Sequence, residues 1–179
     1  MGGTLLDRPP IHLAEHSVLV DDTRGNVAVK AGTVNAAWLS GPMASLRLMR
    51  LCHQYLKKDG GSIVNVSSGS SLSPDQPLRG VYAATKSAVN AISRAAAVEW
   101  GPDTIRVNVI MPFGKSEAVA RFIENEPEFA AAVLRGTPLG RVGDPEAYIG
   151  RVVVFLCSEE AGFLTGVTIP VDGGRSYLR

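Results

Sequence analysis

Three short runs rich in β-branched residues dominate what this chain can fold into. They are Ser62-Ile63-Val64-Asn65-Val66, Ile105-Arg106-Val107-Asn108-Val109-Ile110 and Gly166-Val167-Thr168-Ile169-Pro170-Val171. The first is bounded by glycines and serines and reads as a buried strand, and the other two read as a second and a third strand. Between them lie segments with helical periodicity. Strands spaced this way pair in parallel through helical crossovers, so the fold class is α/β.

The helical segments carry their own punctuation. Thr33 to Lys58 reads as helix, interrupted or kinked at Gly41-Pro42, and Leu46, Met49, Cys52 and Tyr55 fall at the spacing of one apolar face. Lys57 and Lys58 followed by Gly60-Gly61 form its stop. Val81 to Trp100 is an alanine-rich helix ended by Gly101-Pro102. Shorter helices are expected over Ser116–Asn125 and Glu128–Arg135, and another runs to about Cys157 from Asp144 as N-cap, with Pro145 at the first helical position. Before residue 33 the chain reads as an irregular N-terminal segment, because Arg8-Pro9-Pro10 opposes regular structure. A short hairpin, Val18-Leu19-Val20 with Val27-Ala28-Val29, is the one element expected there. With 179 residues the whole is read as one domain.

Composition narrows the classes of function. Hydrophobic residues are 45%, charged residues 20% and the net charge is +1, without a basic run, which argues against nucleic acid or an acidic membrane surface as partner. No apolar run approaches spanning length, and Met1 to Leu6 shows neither a signal-peptide pattern nor, with Leu6 in place of Ser or Thr, a myristoylation pattern. The expectation is a cytoplasmic chain. Cys52 and Cys157 both lie in apolar segments and are expected to be buried free thiols. His12 and His16 have helical spacing but lack the further ligands a zinc site needs, and His53 falls on the polar side of its helix.

Chemistry concentrates at Tyr82 and Lys86, four apart on the alanine-rich helix and so on one face. A free tyrosine titrates near pH 10, and a neighbouring ammonium lowers that by roughly 1–3 pH units, into the range of proton transfer. A tyrosine and lysine at this spacing arise by chance in a chain of this length with a probability on the order of 0.3, so the pair alone is a weak signal. A snorkelling lysine beside a half-buried tyrosine is the bland alternative. Ser67-Ser68 end the strand at Val66, on the edge where open parallel sheets bind ligands.

The context of the pair carries more. Gly61-Ser62-Ile63-Val64-Asn65-Val66-Ser67-Ser68 followed by Tyr82-Ala83-Ala84-Thr85-Lys86 closely resembles the active-site stretch of the short-chain dehydrogenase/reductase family. The resemblance continues through Ile105 to Pro112, Pro138-Leu139-Gly140-Arg141, Asp144-Pro145-Glu146, Phe155 to Ser158, Leu164-Thr165-Gly166 and Val171-Asp172-Gly173-Gly174. It spans roughly Gly41 to Gly174 in the family's order. It implies a Rossmann-like parallel sheet with flanking helices that lacks the first βαβ units, an incomplete doubly wound fold. It also implies hydride transfer between NAD or NADP and a small-molecule carbonyl or alcohol, and a homodimer or homotetramer built on the alanine-rich helix and the last strand and helix.

By the same resemblance Tyr82 matches the general acid/base. Lys86 matches the lysine that lowers the tyrosine pKa and bonds the nicotinamide ribose. Ser68 matches the serine that polarises the substrate oxygen, with Ser67 a rival because the Ser68–Tyr82 spacing is one residue longer than usual. Pro112 and Gly114 match the turn lining the nicotinamide pocket, with Phe113 inserted, and Lys115 to Gly136 match the segment that covers the substrate.

Two departures stand beside these matches. The family's catalytic asparagine corresponds to Trp38 when counted back from Gly41-Pro42 and to Ser40 when counted back from Ser68, with Asn35 nearby but out of register. The glycine-rich pyrophosphate turn has no counterpart either, and Gly136, Gly140 and Gly143 follow a helix instead of a strand, which is not phosphate-loop context. Three functions follow as expectations: an oxidoreductase; a weakly active or inactive homologue acting as an assembly subunit, its strand Ser62–Val66 an exposed edge; and, remotely, a hydrolase using Ser68 with Lys86.

Overall fold

A computed structural model describes residues 12–14, 31–72 and 79–176. Four parallel strands form one sheet in the order β1 (His12–Ala14), β2 (Gly61–Val66), β3 (Ile105–Pro112) and β4 (Thr168–Val171). The long pairing is β2 on β3, from Gly61 opposite Ile105 to Val66 opposite Ile110. The helices are α1 (Ala31–Trp38), α2 (Ala44–Leu56), α3 (Gly80–Trp100), α4 (Glu117–Asn125), α5 (Pro127–Arg135) and α6 (Arg151–Cys157). No described helix is long and apolar enough to cross a membrane.

Alternation along the two central strands sends successive side chains to two cores. Ile63, Ile105 and Val107 pack with Met49 and Leu56 of α2 and Ala96 and Ala97 of α3. Val64 and Ile110 pack with Val153 and Leu156 of α6. Both faces are therefore covered, although Arg106 and Asn108 fall on one side of β3. The polar residues among them are spent on their neighbours. Arg106 donates from its two terminal nitrogens to the carbonyls of Leu156 (2.7 Å) and Ser158 (3.1 Å), and Ser62 Oγ donates to Leu156 as well (2.9 Å). These bonds satisfy carbonyls that the end of α6 leaves orphaned. Asn108, fully buried, donates from Nδ2 to Leu164 O (2.8 Å) and accepts at Oδ1 from Val167 N (3.2 Å). It holds the approach to β4 against β3.

Several sequence expectations need correction. The strand at His12–Ala14 lies in the segment read as irregular, and it pairs with Ile63–Asn65, so β2 is not the open edge of the sheet. Backbone hydrogen bonding to a neighbour needs no side-chain pattern, which is why three residues could pair unannounced. In that strand His12 has no helical relation to His16, which, like the hairpin at 18–29, lies outside the described residues. The kink at Gly41-Pro42 is a π-wound stretch, Leu39–Met43, where Pro42 cannot supply an N–H. Tyr55 is 67% exposed; Leu56, one residue on, takes the inward place seven after Met49. His53 is half-buried, with Nε2 2.8 Å from Asp103 Oδ2 and its ring 4.7 Å from that of Trp100. Asp144 caps as expected, accepting from Glu146 N and Ala147 N. Both cysteines are free but only half-buried, and burial raises the Cys157 thiol pKa against the opposing pull of Ser62 and Arg106.

Asn108→Leu keeps the branched shape but strands the Val167 amide and leaves the Leu164 carbonyl only the longer bond from Arg106 (3.4 Å). A loss of about 2–4 kcal/mol in unfolding free energy is expected, read as a lower urea midpoint at unchanged slope.

Candidate active site

The carboxyl ends of β2 and β3 and the first turns of α3 converge on one place, and the residues there hold each other through short polar contacts. Lys86 is 5% exposed. Its Nζ donates to the carbonyl of Val66, the last residue of β2 (3.1 Å), and lies 5.8 Å from the centre of the Tyr82 ring. Its own backbone carbonyl accepts from Ser67 Oγ (3.1 Å). Helix and strand end are thus bolted together in both directions. Tyr82 is half-buried.

The two serines differ in environment. Ser67 is 4% exposed and its hydroxyl is taken up by Lys86 O. Ser68 is half-buried in an extended conformation, and its Oγ accepts from Ser70 N (3.3 Å), starting the short 3₁₀ turn Gly69–Ser71. A hydroxyl that accepts still has its proton to give.

Pro112 ends β3, and the turn after it is pinned from two sides. Phe113 N donates to Val171 O (3.0 Å), while Gly114 forms a parallel bridge with Gly143, Gly143 N donating to Phe113 O (2.9 Å) and Lys115 N to Gly143 O (3.0 Å). A Cβ on Gly114 would collide with the Ile149 side chain. Of the glycines at 136, 140 and 143, Gly143 packs against this turn, while Gly136 caps the end of α5. Beyond β4, the Asp172 carboxylate accepts from the amides of Gly174, Arg175 and Ser176 (3.0, 3.2 and 2.7 Å), and the Arg175 guanidinium sits 4.9 Å over the Phe113 ring. Neither Pro112 nor Gly114 bonds directly to Tyr82 or Lys86 among the described residues.

The asparagine position resolves into neither expected residue. Asn35 is exposed, and Ser40 Oγ donates back to Ala36 O (2.7 Å). The π-wound stretch Leu39–Met43 lies between α1 and α2, so positions before and after it do not keep one helical face. The stretch abuts the helix that carries Tyr82 and Lys86: a Cβ on Gly41 would lie 3.8 Å from Thr85 Cβ. Sequence reading missed Ser71, Ser87 and Asn90, which bond the turn after Ser68 to α3. The signal was present, since Tyr82, Lys86 and Asn90 share one four-residue spacing. Among the described residues no cluster of histidine, cysteine, aspartate or glutamate could hold a metal ion.

Burial alone lowers the Lys86 pKa from its ordinary 10.5. Below 10.5 there is then a window in which the unfolded chain holds a proton that the folded one has released, so stability rises with pH across it. Relative to Lys86→Met, the wild-type chain is expected to gain in unfolding free energy as pH rises from neutral toward 10.5. A pH-independent difference would mean that this ammonium is fully solvated in the fold.

Comparison with known proteins agrees with this geometry. A family model described as enoyl-(acyl carrier protein) reductase matches residues 35–176. The 12alpha-hydroxysteroid dehydrogenase of Clostridium sp. (strain ATCC 29733 / VPI C48-50) is 42% identical over 135 residues, covering 75% of this chain and 52% of that protein. The 3-oxoacyl-[acyl-carrier protein] reductase from Brucella melitensis ATCC 23457 superposes with a TM-score of 0.76 at 30% identity, over 85% of this chain and 56% of the other. ElxO with NADP bound gives 0.75 at 26% identity, over 85% and 62%. The chain spans about half the length of the curated relatives it matches. With its parallel sheet, its Tyr82–Lys86 helix and these matches together, the chain belongs to the short-chain dehydrogenase/reductase family, a family of oxidoreductases.

Proposed function

We propose that this chain carries the acid–base machinery of an NAD- or NADP-dependent reaction interconverting a carbonyl and an alcohol. The observation that carries the reading is Lys86: a buried lysine with no carboxylate partner among the described residues, anchored on Val66 O and set beside the Tyr82 ring at the carboxyl edge of the sheet. Burying a cation is costly, and a site that does so beside a phenol is organised for charge that forms during a reaction.

The residues fit the nicotinamide end of such a cofactor. An ammonium has three donors, and among the described residues Lys86 uses one, on Val66 O, so the others suit ribose hydroxyls. The turn at Pro112 and Gly114 is held rigidly by β4 and by Gly143, which suits a wall for a flat ring. When bound, the cofactor supplies or accepts the hydride. In the reducing direction Ser68 donates a hydrogen bond to the substrate carbonyl oxygen, and Tyr82 gives its Oη proton to that oxygen as the carbon becomes an alcohol carbon. Lys86 then faces the phenolate left behind and stabilises it. Helices α4 and α5, joined by the edge-to-face pair Phe122–Phe129 (5.6 Å), follow the Gly114 turn along the chain and supply the cover that excludes water in this reading. The structural neighbour with NADP bound favours including NADPH among the probes.

Association between copies is a second reading, favoured by one observation. Leu48, Leu51 and Tyr55 project from one face of α2, with Leu51 and Tyr55 more than half exposed. We propose a homodimer or homotetramer using such faces.

Titration of the purified chain with NADH and NADPH, followed by nicotinamide fluorescence, is expected to give saturable binding in the micromolar range, on the order of −8 kcal/mol. Tyr82→Phe is then expected to cut turnover about 10²- to 10⁴-fold with cofactor affinity retained. A folded sample that binds neither cofactor would overturn the enzymatic reading and leave the assembly reading ahead.

A further inference from the structure

We infer that Asn90 is a positioning residue that holds Ser68 in register with Tyr82 and Lys86; this rests on the reading of those three residues given above. Asn90 lies on α3 one turn beyond Lys86 and two beyond Tyr82, and is 4% exposed. Its Nδ2 donates to Ser71 Oγ (2.9 Å), and Ser71 Oγ donates to the carbonyl of Ser68 (2.7 Å). A hydroxyl has one proton, and the alternative acceptor, Met111 Sδ, is farther away at 3.5 Å, so Ser68 O receives it. Ser87 Oγ, also on α3, donates to Ser71 O (3.0 Å). The turn that begins at Ser68 is therefore tied to the helix carrying the phenol and the ammonium, with Ser71 as the knot.

The other half of the same amide shows what Asn90 is for. Its Oδ1 is buried and without a partner among the described residues. If this position served packing alone, a leucine of similar shape would fill it without a dry lone pair. The reverse amide orientation would leave two dry donors and draw the Ser71 proton away from Ser68. The bonded N–H, directed at Ser71, is the part of the side chain with work to do. Errors of about 1 Å in the placement of a reacting group cost on the order of 10²-fold in rate. Ser87 Oγ ties the far end of the turn to α3 at Ser71 O, and the Asn90–Ser71 chain is what carries that tie back to the carbonyl of Ser68.

The test uses the full chain with Asn90→Leu, Ser71→Ala, the double variant and Ser71→Thr, which keeps the hydroxyl. With a carbonyl substrate that wild type reduces, Asn90→Leu is expected to lower kcat about 10- to 100-fold. Its KM for the cofactor should stay within about twofold of wild type, since cofactor contacts are untouched. Its melting temperature should equal or exceed that of wild type, because the dry acceptor is gone. The double variant should be no worse than the poorer single variant, and Ser71→Thr should retain most of the activity, as one hydrogen-bond chain requires. Amide hydrogen exchange gives a readout independent of turnover: the amides of Ser71 and Leu72 should exchange about tenfold faster in Asn90→Leu, with β2 and β3 unchanged. Wild-type kcat in Asn90→Leu, or unaltered exchange at Ser71 and Leu72, would overturn the inference. If wild type binds no nicotinamide cofactor, the enzymatic reading fails separately and the exchange rates alone decide whether Asn90 ties the turn.

Discussion

The six-residue parallel pairing of β2 with β3 is the frame on which everything else in the described structure hangs. It places the ends of both strands side by side and turns their alternating side chains toward two separate cores, one under α2 and α3 and one under α6. Because both faces are dry, each polar residue in these strands must find a partner in a flanking element. That requirement converts Ser62, Arg106 and Asn108 from apparent interruptions of an apolar run into fasteners for α6 and for the approach to β4. Asn65 follows the same rule on the other face, donating to Ser93 Oγ at 2.8 Å.

The candidate site inherits its geometry from that frame. A parallel sheet collects its strand ends at one edge, and the alanine-rich stripe of α3 lets the helix lie close enough for Lys86 to reach the last carbonyl of β2. The contacts that follow are mostly hydroxyl and amide bonds between the turn after β2 and α3, through Ser67, Ser71, Ser87 and Asn90. They are short and local, and among the described residues they tie the turn after β2 to α3. The second strand end is fixed differently, by backbone bonds from β4 and from the loop at Gly143. The two walls of the site are thus anchored to different crossovers of the same sheet.

Much of this was legible before any coordinates. Strand and helix positions followed from β-branched runs, from Gly101-Pro102 and from the Asp144 cap, because these are local signals that tertiary packing did not override. Errors arose where the outcome depended on a neighbour. Tyr55 fits a helical stripe by spacing, yet Leu56 is the residue that meets the sheet. His53 reads as a solvent-facing residue until the end of α3 brings Asp103 and Trp100 against it. The π-wound stretch at Leu39–Met43 was likewise marked in sequence only by Gly41-Pro42, and it changes which face the residues before it present.

The sequence by itself determined the α/β class, the family and the pairing of Tyr82 with Lys86, since these rest on the order of strand and helix segments, on a succession of matching blocks and on a four-residue spacing, all written along the chain. Tertiary structure alone decided that Ser67 is buried with its hydroxyl on Lys86 O while the adjacent Ser68 is only half-buried. It also decided that a dry acceptor sits on Asn90, that β2 has a strand beside it, and that Gly143 packs on the turn after β3. The division has one cause. Periodicity and capping are written within a few residues of one another, whereas burial and hydrogen-bond partnership depend on atoms from segments distant in the chain, brought together only when the sheet closes its two cores.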